Sequence, residues 1–217
     1  MQNFKIITTG DGSRSIINQS IDEAYHSIHG ARTESECVFI KHGLSNFSHE
    51  HISILEVGYG SGLNALLSFE ANAALQNTID YQAIDNNILP DEFYLIHQSA
   101  VAIDEEHYSK FCKPWNAATP VSNSFLLTKQ CCSIADFISE STFDLVYFDA
   151  FSPDKQPETW SIAIFNKLFT MMNKGGILVT YSSKGIVKRA LREAGFTVKR
   201  LPGPPHKRHV IQAIKPL

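Results

Sequence analysis

Residues 51–64 read HISILEVGYGSGLN. HISILEV (51–57) is a β-branched, apolar run, the signature of a strand buried on both faces. Glycines follow at 58, 60 and 62, and then GLNALLSFEANAAL (62–75), rich in Leu and Ala, predicts a helix. TIDYQAI (78–84) predicts a second strand. Strand, glycine turn, helix and strand in that order begin a unit of alternating α and β elements.

Outward from this unit the alternation continues. LPDEFYLIHQSAVAI (89–103) predicts a helix with Pro90 near its start and acids in its first turn. HYSKFCKPWNAATPVSNS (107–124) has the Pro, Asn and Ser content of a loop. SFLLTKQ (124–130) predicts a third strand, IADFI (134–138) a short helix and FDLVYFD (143–149) a fourth strand. PETWSIAIFNKLFTMM (157–172) predicts a helix with Pro157 in its first turn, and ILVTY (177–181) the strand after it. KGIVKRALREAG (184–195) predicts a helix closed by Gly195. FTVKRL (196–201) and HVIQAIK (209–215) predict two strands joined by PGPPHKR (202–208). That joint is too short for a helical crossover, so the last strand runs antiparallel. An α/β, mostly parallel sheet with one antiparallel strand near the C-terminus is similar to the Rossmann-type, class I methyltransferase fold.

The 217 residues are expected to form a single domain, with 1–50 as an N-terminal entry segment and 51–217 as the core. In the entry segment, VFI (38–40) reads as a short strand or a turn of helix. A hydrophobic content of 43% with 19% charged residues predicts a globular chain, and a net charge of −3 confines any nucleic-acid contact to a local patch. The N-terminal residues carry no apolar run of signal-peptide length, and no stretch reaches the ~18 apolar residues of a membrane span. A cytoplasmic location without membrane association is the expectation. Four cysteines without CxxC spacing and nine scattered histidines give no metal pattern, so no metal is expected.

Three glycines in a G-x-G-x-G series let the backbone turn sharply and approach a ligand. A dinucleotide fingerprint needs its third glycine at position 63, which is Leu63. Glu56 ahead of the first glycine, with G-x-G-x-G after it, instead resembles the S-adenosyl-L-methionine motif. Cofactor contacts are therefore expected from Glu56, Gly58, Tyr59, Gly60, Gly62, Asp85 and Asn86. Asp85 follows the second strand at the interval of a ribose-binding acid, where one carboxylate can accept two hydroxyl hydrogen bonds. Alone, each feature also fits a plain turn. Together, on successive strands, they point to S-adenosyl-L-methionine.

Asp149 ends the apolar run LVYF. Ligands of parallel sheets bind beyond the carboxyl ends of the strands, so Asp149 shares a rim with the glycine loop and Asp85. Pro153 and Pro157 delay the next helix, which weakens a capping role. A carboxylate there can hold an amine N–H and steady a developing ammonium. An ordinary Asp pKa of ~3.9 makes it a poor base, which favours orientation and charge stabilisation as its catalytic role.

DAFSPDKQPETW (149–160), GGILVTYSSKGIVKRALREAGF (175–196) and GPPHKRHVIQA (203–213) resemble the methyltransferase half of the MnmC family of bifunctional tRNA wobble-uridine enzymes. DEAYHSIHGARTESECVFI (22–40) is similar to that family's entry segment. The resemblance implies methylation, from S-adenosyl-L-methionine, of the aminomethyl nitrogen on uridine 34 of tRNA, bound through the anticodon stem-loop. It also implies that Asp149 sits between methyl donor and amine. No counterpart of the family's FAD-dependent oxidase half is found, so no oxidase activity is expected; a separate oxidase or an upstream tRNA-modifying enzyme would supply the amine. Where family members place an acid after the third strand to read adenine, this chain has KQCCSIAD. Cys131 and Cys132 stand there, and Asp136 lies further along.

Residues 184–209 hold eight basic residues against one acid, Glu193. Lys184, Lys188 and Arg192 share a helix face, which fits a solvated surface. Lys207 and Arg208, in the loop over the rim, fit phosphate contacts better. Tyr25, Phe151 and Tyr181 are the aromatics placed to stack on a base. Trp160 reads as packing; Tyr108 and Trp115 remain unranked. Competing readings are a transferase acting on a small-molecule amine, which needs no basic rim, and an inactive cofactor-binding scaffold.

Overall fold

The computed structural model describes residues 4–217; residues 1–3 of the entry segment lie outside the described residues. β1 (Phe4–Thr8), β2 (Arg14–Asn18) and β3 (Glu23–Ala24) form a small antiparallel sheet. α1 (Ala31–Ser35) runs on into a wider helical turn, Glu36–Lys41, so VFI at 38–40 is helical.

The core follows as β4 (His51–Val57), α2 (Leu63–Leu75), β5 (Thr78–Asp85), α3 (Glu105–Phe111), β6 (Ala117–Ser122) and β7 (Phe125–Cys131). Then come β8 (Phe143–Phe148), α4 (Ile162–Met171), β9 (Met172–Thr180), α5 (Gly185–Glu193), β10 (Thr197–Pro202) and β11 (His209–Ile214). The strands make one sheet in the order β10-β11-β9-β8-β4-β5-β7-β6, with β9, β8, β4, β5 and β7 parallel. The architecture is the Rossmann-like mixed α/β sheet expected from the sequence. β11 is the expected late antiparallel strand.

β8 shows why an apolar run becomes a central strand. Leu145 and Tyr147 face one hydrophobic layer, Val146 and Phe148 the other, and all four are fully buried. β4 lies between β5 and β8, so successive units wind away from it in opposite directions. The crevice at the carboxyl ends of β4 and β8 is thus a topological switch point, where open α/β sheets bind ligands.

Four expectations are corrected. Residues 89–103 form no long helix: Asp91–Leu95 is one 3-10 turn, and turns follow it. Tyr94 and His97 are drawn into the core, and the backbone there closes i→i+3 bonds instead. Residues 107–124 are not loop: α3 is capped by Asp104, whose side chain accepts from His107 N–H, and β6 pairs antiparallel with β7. Pro120 is tolerated because β6 is an edge strand with an irregular register at that point. Residues 134–138 are a turn held by Ser133, not a helix. Pro157 opens a turn, and α4 begins only after Ser161, because Trp160 buries itself on Phe148.

Among the described residues, no helix is long and apolar enough to cross a membrane, and no group of three His, Cys, Asp or Glu side chains is arranged to hold a metal ion.

Candidate active site

A cavity of about 940 Å³ opens at the switch point. That is near the upper end of the ~300–1,000 Å³ of ligand pockets. Its floor is the loop after β4, its sides the ends of β5 and β8, and its roof comes from β3, α1 and the loop after β10.

The floor depends on glycine at two places. Gly58 has φ +94°, and a Cβ there would lie 2.5 Å from the Asp149 carbonyl oxygen. Only glycine lets the β4 loop lie against the end of β8, where Asp149 N–H donates to Val57 O at 2.9 Å. Gly60 has φ +53°, and the Tyr25 ring lies 3.0 Å from where its Cβ would be.

Asp85 ends β5 with its carboxylate oriented on both sides. Oδ2 accepts from Gly60 N–H at 2.9 Å and Oδ1 from Asn87 N–H at 2.9 Å. Burial raises its pKa, opposed by the Gly60, Asn87 and Asn86 backbone amides. The glycine turn and Asp85 are thus one rigid unit. A carboxylate lining the cavity, oriented by backbone amides and with lone-pair capacity beyond them, fits a pair of hydroxyl donors.

Asp149 lies on the opposite wall. Its Oδ2 accepts from the Asn64 side-chain amide at 2.8 Å. The same amide nitrogen donates to Glu56 Oε1 at 2.9 Å, and Glu56 Oε2 accepts from Tyr81 at 2.9 Å. Asn64 spends both N–H donors on two carboxyl groups, and its own Oδ1 is buried without a hydrogen bond. Burial pushes the Asp149 carboxyl up to about 7; the Asn64 bond and the Lys207 charge pull it down, and Glu34 pushes it up. The premise that an ordinary pKa makes Asp149 a poor base does not hold at this site. Burial also holds Glu56 well above the usual carboxylate range.

Of the residues singled out from the sequence, Gly58, Gly60, Asp85, Asn86 and Asp149 line the cavity. So do Tyr25, Phe151, Tyr181 and Lys207. Tyr25 meets Phe151 edge-on at 4.9 Å, and its hydroxyl accepts from the Asn87 side chain at 2.8 Å. Tyr181 donates to Ala150 O at 2.9 Å.

Four others stand elsewhere. Glu56 is fully buried beneath the loop, held by Asn64 and Tyr81. Tyr59 turns into the core and donates to Phe111 O at 3.0 Å. Gly62 caps α2 against the Tyr59 ring. Arg208 is exposed and outside the cavity lining. Trp160 is packing, as expected, and donates to Phe151 O at 2.8 Å. In the adenine region, Cys132, Ser133, Ile134 and Ala135 line the wall, while the Asp136 carboxylate is turned back onto the Ser133 hydroxyl at 2.7 Å.

Sequence reasoning missed several site residues. Asn64 gave one faint signal, an amide in the first turn of an otherwise apolar helix. Glu23 lines the cavity and ties β3 to the loop after β8, accepting from Ser152 N–H at 2.9 Å and from its hydroxyl at 3.1 Å. His26 and His97 both contact the Ser61 hydroxyl, at 3.1 and 2.7 Å. Burial lowers His26 to about 4 and His97 well below the usual value, so both rings are neutral. Glu34 carries an ion pair with Lys207 at 2.8 Å.

Comparison with known proteins adds the following. Residues 100–216 match the model of a family described as S-adenosyl-L-methionine-dependent methyltransferase. A Nitrosospira multiformis protein named tRNA 5-methylaminomethyl-2-thiouridine biosynthesis bifunctional protein MnmC is 30% identical over 178 residues, 76% of this chain and 28% of its own length. The Magnetococcus marinus protein of the same name is 28% identical over 217 residues, 89% of this chain and 31% of its own length. The chain thus spans less than a third of these curated relatives. A crystal structure of MNMC2 from Aquifex aeolicus is similar with a TM-score of 0.79, covering 100% of this chain and 73% of that one at 23% identity. That likeness speaks for the fold.

Proposed function

The chain belongs to the S-adenosyl-L-methionine-dependent methyltransferases, and from that membership we propose that it methylates the aminomethyl nitrogen of 5-aminomethyluridine, or its 2-thio form, at wobble position 34 of tRNA. It does so as a single domain in the cytoplasm, on the anticodon stem-loop. The observation that carries this reading is Asp149: a carboxyl buried to a pKa of about 7 on the wall of a cavity that also presents the Tyr25, Phe151 and Tyr181 rings. The relatives' name, which specifies 5-methylaminomethyl-2-thiouridine biosynthesis, suggests the acceptor.

The cavity's residues fit the cofactor. Gly58 and Gly60 give close backbone approach, Asp85 is oriented for two hydroxyls, and Ser133, Ile134 and Ala135 offer a mostly apolar stretch of wall. When bound, S-adenosyl-L-methionine supplies a methyl group on a positively charged sulfur and leaves as the thioether.

The chain's own residues prepare the acceptor. An alkyl amine that arrives protonated must lose a proton from its nitrogen before its lone pair is available. Asp149 accepts a hydrogen bond from that nitrogen and, with its pKa raised, takes up a proton more readily than an exposed aspartate. Where the amine arrives already neutral, the ionised carboxylate instead balances the positive charge that appears on nitrogen as the new C–N bond forms. Asn64 fixes the carboxylate's direction. The aromatic rings provide stacking faces for the uracil.

The test is direct. Incubate the protein with S-adenosyl-L-methionine and tRNA bearing 5-aminomethyluridine at position 34, digest, and weigh the nucleosides. Gain of one methyl on that uridine supports the assignment. No gain, with cofactor binding verified, removes the tRNA substrate.

A further inference from the structure

Lys207 occupies an unusual seat. Its ammonium is 2.8 Å from the Glu34 carboxylate and 4.7 Å from the centre of the Tyr181 ring. The side chains are only 30% and 16% exposed for Lys207 and Glu34. All three groups line the cavity that holds Asp149. Two independent contacts keep the loop there: His206 stacks on His29 at 5.0 Å, and Pro202 O receives the His42 ring at 2.9 Å. The sequence pattern marked Lys207 for phosphate, but its charge is already spent on a carboxylate and an aromatic face.

A carboxylate beside a π-face, partly shielded from water, is the chemistry that recognises an alkylammonium. Lys207 is itself a primary amine on a CH₂ group, the same terminus as an aminomethyl substituent. We propose that Glu34 and the Tyr181 ring form the ammonium-binding subsite of the acceptor, and that Lys207 is an internal ligand which the acceptor's primary ammonium displaces. This rests on the reading above that the acceptor is an amine. Nothing in the site's charge balance opposes the exchange: one ammonium replaces another, so Glu34 keeps a cationic partner while the acceptor binds. The subsite thus selects a cationic acceptor before Asp149 acts on its proton.

Two arms test this and separate it from the tRNA assignment. In the first, Lys207→Met protein is titrated with ethylammonium chloride, followed by NMR of labelled tyrosines, with sodium chloride as control. Saturable binding with a midpoint on the order of 10 mM or tighter is expected. It should vanish in Lys207→Met/Glu34→Gln, while S-adenosyl-L-methionine binding persists in both. No saturable binding in Lys207→Met overturns the subsite, whatever the macromolecular substrate is.

In the second, affinities are compared for tRNA with 5-aminomethyluridine and with plain uridine at position 34. Phosphate contacts are common to both and cancel in the ratio. Preference for the amine form should be on the order of tenfold in the native chain, fall to about one in Glu34→Gln and rise in Lys207→Met. A ratio unmoved by Glu34→Gln overturns the proposal. Ethylammonium binding without methylation of either tRNA would instead remove the tRNA reading and leave the ammonium subsite standing.

Discussion

The Asn64 side chain donates to the Asp149 carboxylate across 2.8 Å, joining the first turn of α2 to the end of β8. The bond orients the acid and, with Lys207, holds its pKa below what burial alone would give.

Asn64→Leu should therefore move the acidic limb of the pH–rate profile upward. In the proposed mechanism activity needs ionised Asp149, so it should fall as pH drops through the carboxyl's pKa. Asn64 stabilises the ionised form; without it that pKa rises, and more of the enzyme is inactive at neutral pH. A shift of about one unit relative to the native chain is expected from losing one hydrogen bond to a charged group. Coincident profiles would separate Asp149's titration from the rate.

Asp85→Ala should weaken S-adenosyl-L-methionine binding by about tenfold or more, the loss of charge-assisted bonds to hydroxyls. Calorimetric titration reads this directly. Undiminished affinity would place the ribose elsewhere.

Glu56→Gln should stabilise the fold in a pH-dependent way. Glu56 is fully buried and its folded pKa is raised, so the folded state holds a proton that the unfolded state releases above about pH 4.5. Native stability is then lost as pH climbs from the unfolded towards the folded pKa, at up to ~1.4 kcal/mol per unit. The melting-temperature advantage of the variant should grow between pH 5 and pH 8. An advantage constant with pH would mean that Glu56 carries no raised pKa.

Gly58→Ala should destabilise by about 1–3 kcal/mol, since φ is +94° and the new methyl meets the Asp149 backbone. Thermal melting checks the stability. Cofactor affinity should fall with it, because the floor of the cavity must move.

Much of this was legible in the sequence where the signal is local. β4, β5 and β8 are apolar runs ended by glycine or an acid, and their order places Gly58, Asp85 and Asp149 on one rim. What escaped depends on partners distant in sequence. Asn64 gains its meaning from Asp149, 85 positions away. His97 breaks a plausible helix because its ring reaches Ser61, 36 positions away. β6 hid behind Pro120, which reads as loop unless the strand is known to lie at an edge. Tyr59 and Glu56 belong to the expected motif, yet strand alternation turns Glu56 off the cavity side of β4, and Tyr59, in the loop after β4, turns into the core to reach Phe111 O, 52 positions away. Lys207 looked like a free cation because Glu34, its partner, lies 173 positions earlier.

The most direct test of Asp149 as the group at the acceptor is single-turnover methyl transfer by Asp149→Asn, with labelled S-adenosyl-L-methionine and tRNA carrying 5-aminomethyluridine. Asparagine keeps the size and the hydrogen-bonding reach but cannot take a proton or carry charge. Cofactor affinity within about threefold of the native chain and a rate lowered about 100-fold or more are expected. A native rate would contradict the assignment and move the proton-accepting role to another wall of the cavity.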